Sequence, residues 1–211
     1  MRSAAEKKKV LVFIDWFLPG DKAGGPVRSV ANLIDHLGDE FEFSVVTRDT
    51  DYTAAQPYPG IRSDEWNSLP DGKRVFYFSG KNLHRDSIAR LLDEETYDAV
   101  YLNGIWSQPF TRWPLERLKK SGKTIVVAVR GMLAPSAMAI KATKKKIFLR
   151  FAKLNGLFRN VTFHATTEKE ADEVRAVFGK NARVLVAGNF PRKNNTAFVA
   201  RKKEPGAQEP H

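Results

Sequence analysis

The 211-residue chain contains no cysteine, and its four histidines are scattered. Without thiols there is neither a disulfide framework nor a thiolate metal site, and four separated imidazoles leave little for zinc. Clusters of carboxylates or histidines at ligand spacing are also missing, so no metal is implied. Long apolar runs are absent as well. The first one, 10–14, stops at Asp15, too short for a signal peptide or a spanning helix. A cytoplasmic location is the resulting expectation. Basic residues interleaved with aromatics on a predicted sheet face do not occur, which counts against nucleic acid as a partner. Acidic residues are missing from 141–160, which holds seven Lys and Arg side chains. The net charge of +11 therefore belongs mainly to this segment and the two basic ends, while the rest is close to neutral. Charge placed this way points to a local anionic partner rather than a generally basic surface.

What is present is a chain with enough apolar content, 42%, for one substantial core but not for two full nucleotide-binding domains. Apolar and β-branched runs predict strands at 10–14, 41–47, 75–78, 99–102, 124–129, around Phe163 and at 183–187. Helical spacing predicts helices at 27–37, closed by Gly38, and at 83–92 and 109–121; Thr167 caps another at 168–178. Strands alternating with helices predict an α/β, doubly wound parallel sheet of Rossmann-like type. The run at 124–129, apolar on both faces, is the expected sheet centre. Residues 48–72 have no periodicity and read as a long surface loop.

The segment Gly24-Gly25-Pro26-Val27-Arg28 follows the first strand and enters a helix, an arrangement that lets backbone approach phosphate. Gly20, Gly24 and Gly25 do not form the G-x-G-x-x-G dinucleotide fingerprint, so NAD is not the expected ligand. Other noteworthy residues also fall at predicted strand ends: Asp15 and Trp16, Asn103 and Gly104, Arg130 and Gly131. In doubly wound sheets, ligands bind at that edge.

Four motifs in order carry a resemblance. They are Gly24-Gly25-Pro26-Val27-Arg28-Ser29-Val30, Arg130-Gly131-Met132-Leu133-Ala134-Pro135, His164-Ala165-Thr166-Thr167-Glu168-Lys169-Glu170-Ala171 and Gly188-Asn189-Phe190-Pro191. Over about 9–191 the chain resembles the N-terminal domain of family 4 (group 1) glycosyltransferases of GT-B architecture. The resemblance implies a basic extension at 1–8, an acceptor-side domain at 9–191, and a linker or the start of a second domain at 192–211. It also implies a retaining enzyme of cell-envelope or polysaccharide biosynthesis. Such an enzyme moves a sugar from a nucleotide diphosphate sugar to a saccharide or lipid-linked acceptor, with no separate cofactor.

By the same resemblance, Gly24, Gly25 and Arg28 contact the donor diphosphate. Asp15, Trp16, Asn103, Trp106 and Gly131 face the acceptor. Arg130 stands where many relatives have His in a His-Gly pair, and a guanidinium, always charged, is restricted to an electrostatic role. The family's second domain, with its paired glutamates and nucleotide pocket, has no counterpart in 1–211, so the isolated chain is expected to be inactive. The alternative is a stand-alone module that binds an anionic glycan or lipid without catalysis.

Several of these residues also have plainer readings. Asp15 fits a loop carboxylate, Trp16 and Trp106 fit core aromatics, and His164 fits a satisfied core histidine. Glu168 suits a helix N-terminus, and Asn189 suits the turn before Pro191. In 141–160, Ile140, Ile147, Phe148, Phe151, Leu154 and Phe158 recur at roughly helical spacing. They predict a buried apolar face beneath a solvated basic one. The competing reading is contact with an anionic membrane, which would make the protein peripheral at the inner face.

Overall fold

A computed structural model describes residues 6–193. Eight strands form one sheet: β1 Lys8–Phe13, β2 Phe41–Arg48, β3 Trp66–Ser68, β4 Arg74–Phe78, β5 Ala99–Asn103, β6 Thr124–Ala128, β7 Thr162–Ala165 and β8 Val184–Val186. Their order across the sheet is β3-β4-β2-β1-β5-β6-β7-β8. All pairings are parallel except β3 with β4. The helices are α1 Gly25–Leu37, α2 Arg85–Glu94, α3 Trp113–Leu118, α4 Pro135–Ala139, α5 Ala142–Leu154 and α6 Glu168–Phe178.

The alternation of side chains along each strand divides the core in two. Val12 of β1 and Ile14 just past its end join Val27, Val30 and Ile34 of α1 on one face. Leu11 and Phe13 face the other way, into a larger core with Ile88 of α2, Leu115 of α3, Ala152 of α5 and Val174 of α6. Burying a side chain such as Phe13, fully inaccessible here, contributes about 1.5–3 kcal/mol. The chain winds outward from β1 through β2 to β4, then crosses back by α2 to β5 on the other side of β1. That reversal, between β1 and β5, is the topological switch point of a doubly wound sheet.

The predicted elements recur with four adjustments. The central pair is β1 and β5, with β6 one position outward; apolar residues on both faces mark an interior strand without ranking it. The loop 48–72 contains β3, only three residues long and antiparallel to β4. The helix at 109–121 begins as a π-helical turn, Gln108–Arg112, before α3. Pro114 has no N–H to give to Phe110, and the hydrogen bonds ahead of it reach five residues back, Arg112 N to Ser107 O at 3.0 Å. Gly38 closes α1 in the right-handed region, φ −64°, with Glu40 N–H returning to Leu37 O at 3.0 Å. In the expected segment 192–211, residues from 194 onward lie outside the described residues, as do 1–5 of the N-terminal extension.

Candidate functional site

Beyond the ends of β1 and β5 lies a cleft of about 170 Å³, lined by Asp15, Trp16, Lys22, Tyr52, Asn103 and Met132 among others. Asp15 directly follows Ile14 at the end of the first strand segment. Its carboxylate accepts from Ser107 Oγ at 2.9 Å and from Arg48 Nη2 at 3.4 Å. Burial pushes its pKa above the ordinary 3.8, against the opposing pull of Ser107 and Arg48. The Trp16 indole meets the Tyr52 ring edge-on, with centroids 5.0 Å apart. A carboxyl, an indole, a phenol and an amide converging on one concavity suit a polyhydroxylated ring, which needs directional hydrogen bonds and an apolar face to stack on.

Gly24 and Gly25 stand at the rim, beside the lining residues Ala23 and Pro26. Gly24 has φ 70°, and a Cβ at either glycine would meet nothing within 4 Å. No side chain caps the start of α1, and its first turn has no acid, so its partial positive charge faces outward. Arg28 is placed differently. It lines a separate groove of about 880 Å³ with Asp35, Asp71, Lys73, Arg192 and Lys193.

Arg130 follows β6 at φ 52°, a left-handed conformation uncommon outside glycine. Its Nε donates to Asn103 Oδ1 at 2.8 Å, Nη1 to Ser29 Oγ at 2.9 Å and to Asn189 Oδ1, and Nη2 to Tyr101 Oη at 3.0 Å. One guanidinium thus ties α1, β5 and the 187–190 segment to the end of β6. The network continues through Tyr101 to His164 Nδ1, 2.8 Å away, while His164 Nε2 lies 2.8 Å from Ala187 O. A carbonyl can only accept, so Nε2 carries the proton and Nδ1 accepts from Tyr101. Burial, aided by Arg130, lowers the His164 pKa from 6.5 and favours this neutral form.

Gly131, at φ 68°, gives its N–H to Glu170 Oε1. Glu170 Oε2 accepts from Thr166 N–H at 2.5 Å and from Thr166 Oγ1 at 2.9 Å. The Gly131 N–H is thereby engaged by a buried carboxylate, although the residue itself is exposed. Gly104, at φ 110°, allows a close approach, since a Cβ there would stand 3.0 Å from Met132 Cε. Trp106 is turned into a seam with α5, its ring 5.7 Å from Phe148 and under Lys145 Nζ at 5.1 Å.

Of the residues expected from the sequence, the structure therefore gathers Asp15, Trp16 and Asn103 in the cleft and Gly24 and Gly25 at its rim. Arg130 and Gly131 sit behind Asn103, while Arg28 and Trp106 lie elsewhere. Nothing in the sequence marks Tyr52 for the cleft, because it arrives from a loop with no periodicity, and Met132 lies within the Arg130–Pro135 motif without standing out as a site residue. Tyr101 reads as one more apolar position of a strand, and Glu170 as one of several acids opening α6.

An open α/β sheet with a cleft at its switch point defines a doubly wound, Rossmann-like domain. Residues 24–189 match the glycosyl transferase 4-like domain, and the chain belongs to that family. No match was found among curated proteins.

Proposed function

We propose that this chain is the acceptor-side half of a retaining glycosyltransferase working in the cytoplasm. In this reading it moves a sugar from a nucleotide diphosphate sugar, with no further cofactor, to a saccharide or lipid-linked acceptor of the cell envelope or a polysaccharide. The observation that carries it is the switch-point cleft, where Asp15, Trp16, Tyr52 and Asn103 meet beside the open Gly24-Gly25 backbone. The cleft offers the acceptor hydrogen bonds and an indole face. The uncapped start of α1 offers the departing diphosphate a positive end of a helix dipole, and a second domain closes the other side. Asp15, held by Ser107 and Arg48, orients an acceptor hydroxyl. Arg130 acts on charge only at a distance, because its donors already hold the edge of the site together.

Two measurements test this. Saccharides and lipid-linked sugars are expected to change the tryptophan fluorescence of the 211-residue chain, and Trp16→Phe is expected to remove the response. A labelled nucleotide-sugar panel is expected to give no transfer with this chain by itself. Transfer by the isolated chain would overturn the half-site reading. Absence of any saccharide response would overturn the acceptor reading. Saccharide binding without transfer, even when a donor-binding domain is supplied, would favour a non-catalytic binding module.

A further inference from the structure

The basic segment is helical as its spacing predicts, but its apolar residues divide between two opposite faces. Leu149 and Ala152 of α5 are buried. Phe148 turns in with them, its ring 6.5 Å from Phe158. Ile147, Phe151 and Leu154 point the other way and are 64%, 58% and 80% exposed. Ile140, just ahead of the helix, is 65% exposed. Of eight exposed large hydrophobic side chains among the described residues, four fall within 140–154. The expected buried apolar face beneath a solvated basic one is therefore not what forms, because the inner seam is filled by Phe148, Leu149 and Ala152.

The charges border the exposed stripe. At about 100° per residue, Ile147, Phe151 and Leu154 occupy an arc of about 60°, with Lys144 along one edge and Arg150, Lys146 and Lys153 along the other. Lys145 is not part of this border. Its Nζ donates to Ala137 O at 2.6 Å and lies over the Trp106 ring. No acid occurs anywhere in 141–160. An ordinary solvated helix face would not carry three large apolar side chains in line. A protein interface would be poor in lysine at its core, and a second copy of this face would bring like charges together. Among the described residues no helix is long and apolar enough to cross a membrane.

We propose that α5 docks on an anionic lipid bilayer. Ile147, Phe151 and Leu154 enter the boundary between headgroups and acyl chains, while Lys144, Lys146, Arg150 and Lys153 lie along the phosphates. Long basic side chains suit this position because their stems stay on apolar surface while their charges reach the headgroups. The docked helix shares its inner seam with Trp106, and the adjacent Ser107 holds Asp15 in the cleft. An acceptor carried in the same bilayer would then reach that cleft from the side. The docking stands on α5 alone and does not depend on the transfer reading, so either can fail without the other.

The test is sedimentation of the full chain with vesicles of phosphatidylglycerol and phosphatidylcholine, set against vesicles of phosphatidylcholine alone. Binding is expected to be strong on the first and weak on the second. Each exposed Lys→Gln change at 144, 146 or 153 is expected to weaken partitioning about fivefold. The pair Phe151→Ser and Leu154→Ser is expected to weaken it about tenfold or more. Both positions are exposed, and an unchanged circular-dichroism melt confirms that folding is retained. Phe151→Trp supplies a second readout, a blue-shifted emission on anionic vesicles. Equal binding to both vesicle types, no binding, or full binding by the Phe151/Leu154 pair would overturn the proposal. So would a self-associated chain that the pair dissociates while wild type ignores vesicles, which would assign the stripe to a second copy.

Discussion

Four of the five N–H donors of Arg130 are engaged by Asn103, Ser29, Asn189 and Tyr101, so its side chain is as much a clasp as a charge. Arg130→Gln would leave several of these partners unsatisfied, and hydrogen bonds to charged groups contribute about 1.5–3 kcal/mol each. A net loss of about 3 kcal/mol in urea unfolding is expected, since part of the network will relax onto water. His164 gives a pH-dependent counterpart. Its folded pKa lies below the ordinary 6.5, so the unfolded chain binds more protons in the window beneath 6.5. Stability then rises with pH across that window and falls as pH drops through it. Protonation would also put a donor on Nδ1, where the Tyr101 hydroxyl now donates. Lowering the pH from about 7.5 to about 5 is expected to lower the melting temperature less in His164→Gln than in wild type. The comparison isolates the imidazole from Asp15, whose raised pKa acts in the opposite sense. None of this network shows in the sequence, because its members come from five separate stretches brought together only by the sheet.

At the scale of elements, local signals carry furthest where the stabilising contacts are local. Thr167 marks the start of α6 because its hydroxyl accepts from Glu170 N–H three residues on, at 3.2 Å. The other role of Glu170, receiving Gly131 and Thr166 across the β6 and β7 ends, depends on distant chain. Glu170→Ala is expected to cost about 1–2 kcal/mol in urea unfolding, because the bonds from Gly131 and Thr166 to the buried carboxylate are lost while those two donors, exposed and half-buried, regain water. β3 shows the same contrast from the other side. Three residues are too few for a readable period, and the strand is held by tertiary contacts. Trp66 lies under the Arg74 guanidinium at 3.6 Å and donates to Glu95 at 2.7 Å. Glu95 in turn receives both ends of the Arg74 fork at 3.0 Å. Arg74→Ala is expected to lose about 1–2 kcal/mol and to release β3, seen as faster amide exchange at Asn67. In α5 the helix is legible but its orientation is not. Apolar residues at 148, 149 and 152 and at 147, 151 and 154 mark two faces, and only the packing of Phe148 against Trp106 selects the inner one.

For the whole molecule, alternation of strands and helices was enough to define a doubly wound sheet and to place Asp15, Trp16 and Asn103 at one edge. Strand order was less accessible, since an apolar strand such as β6 reads the same beside the centre as at it. The departure of Arg28 to another groove is a further tertiary effect. It lies about 6 Å along the helix axis from the N-cap Gly24, on the face that Asp35 shares seven residues on, and there it lines the groove with Asp35 and Lys73. In the proposed transfer the switch-point edge meets the donor diphosphate through the Gly24-Gly25 backbone. The most direct measurement is a titration of the ¹⁵N-labelled 211-residue chain with a nucleoside diphosphate sugar, following backbone amides by NMR. Saturable shifts concentrated at Gly24, Gly25 and Val27 are the expected result. No shifts, or shifts concentrated in the groove of Arg28, Lys73 and Lys193, would contradict it.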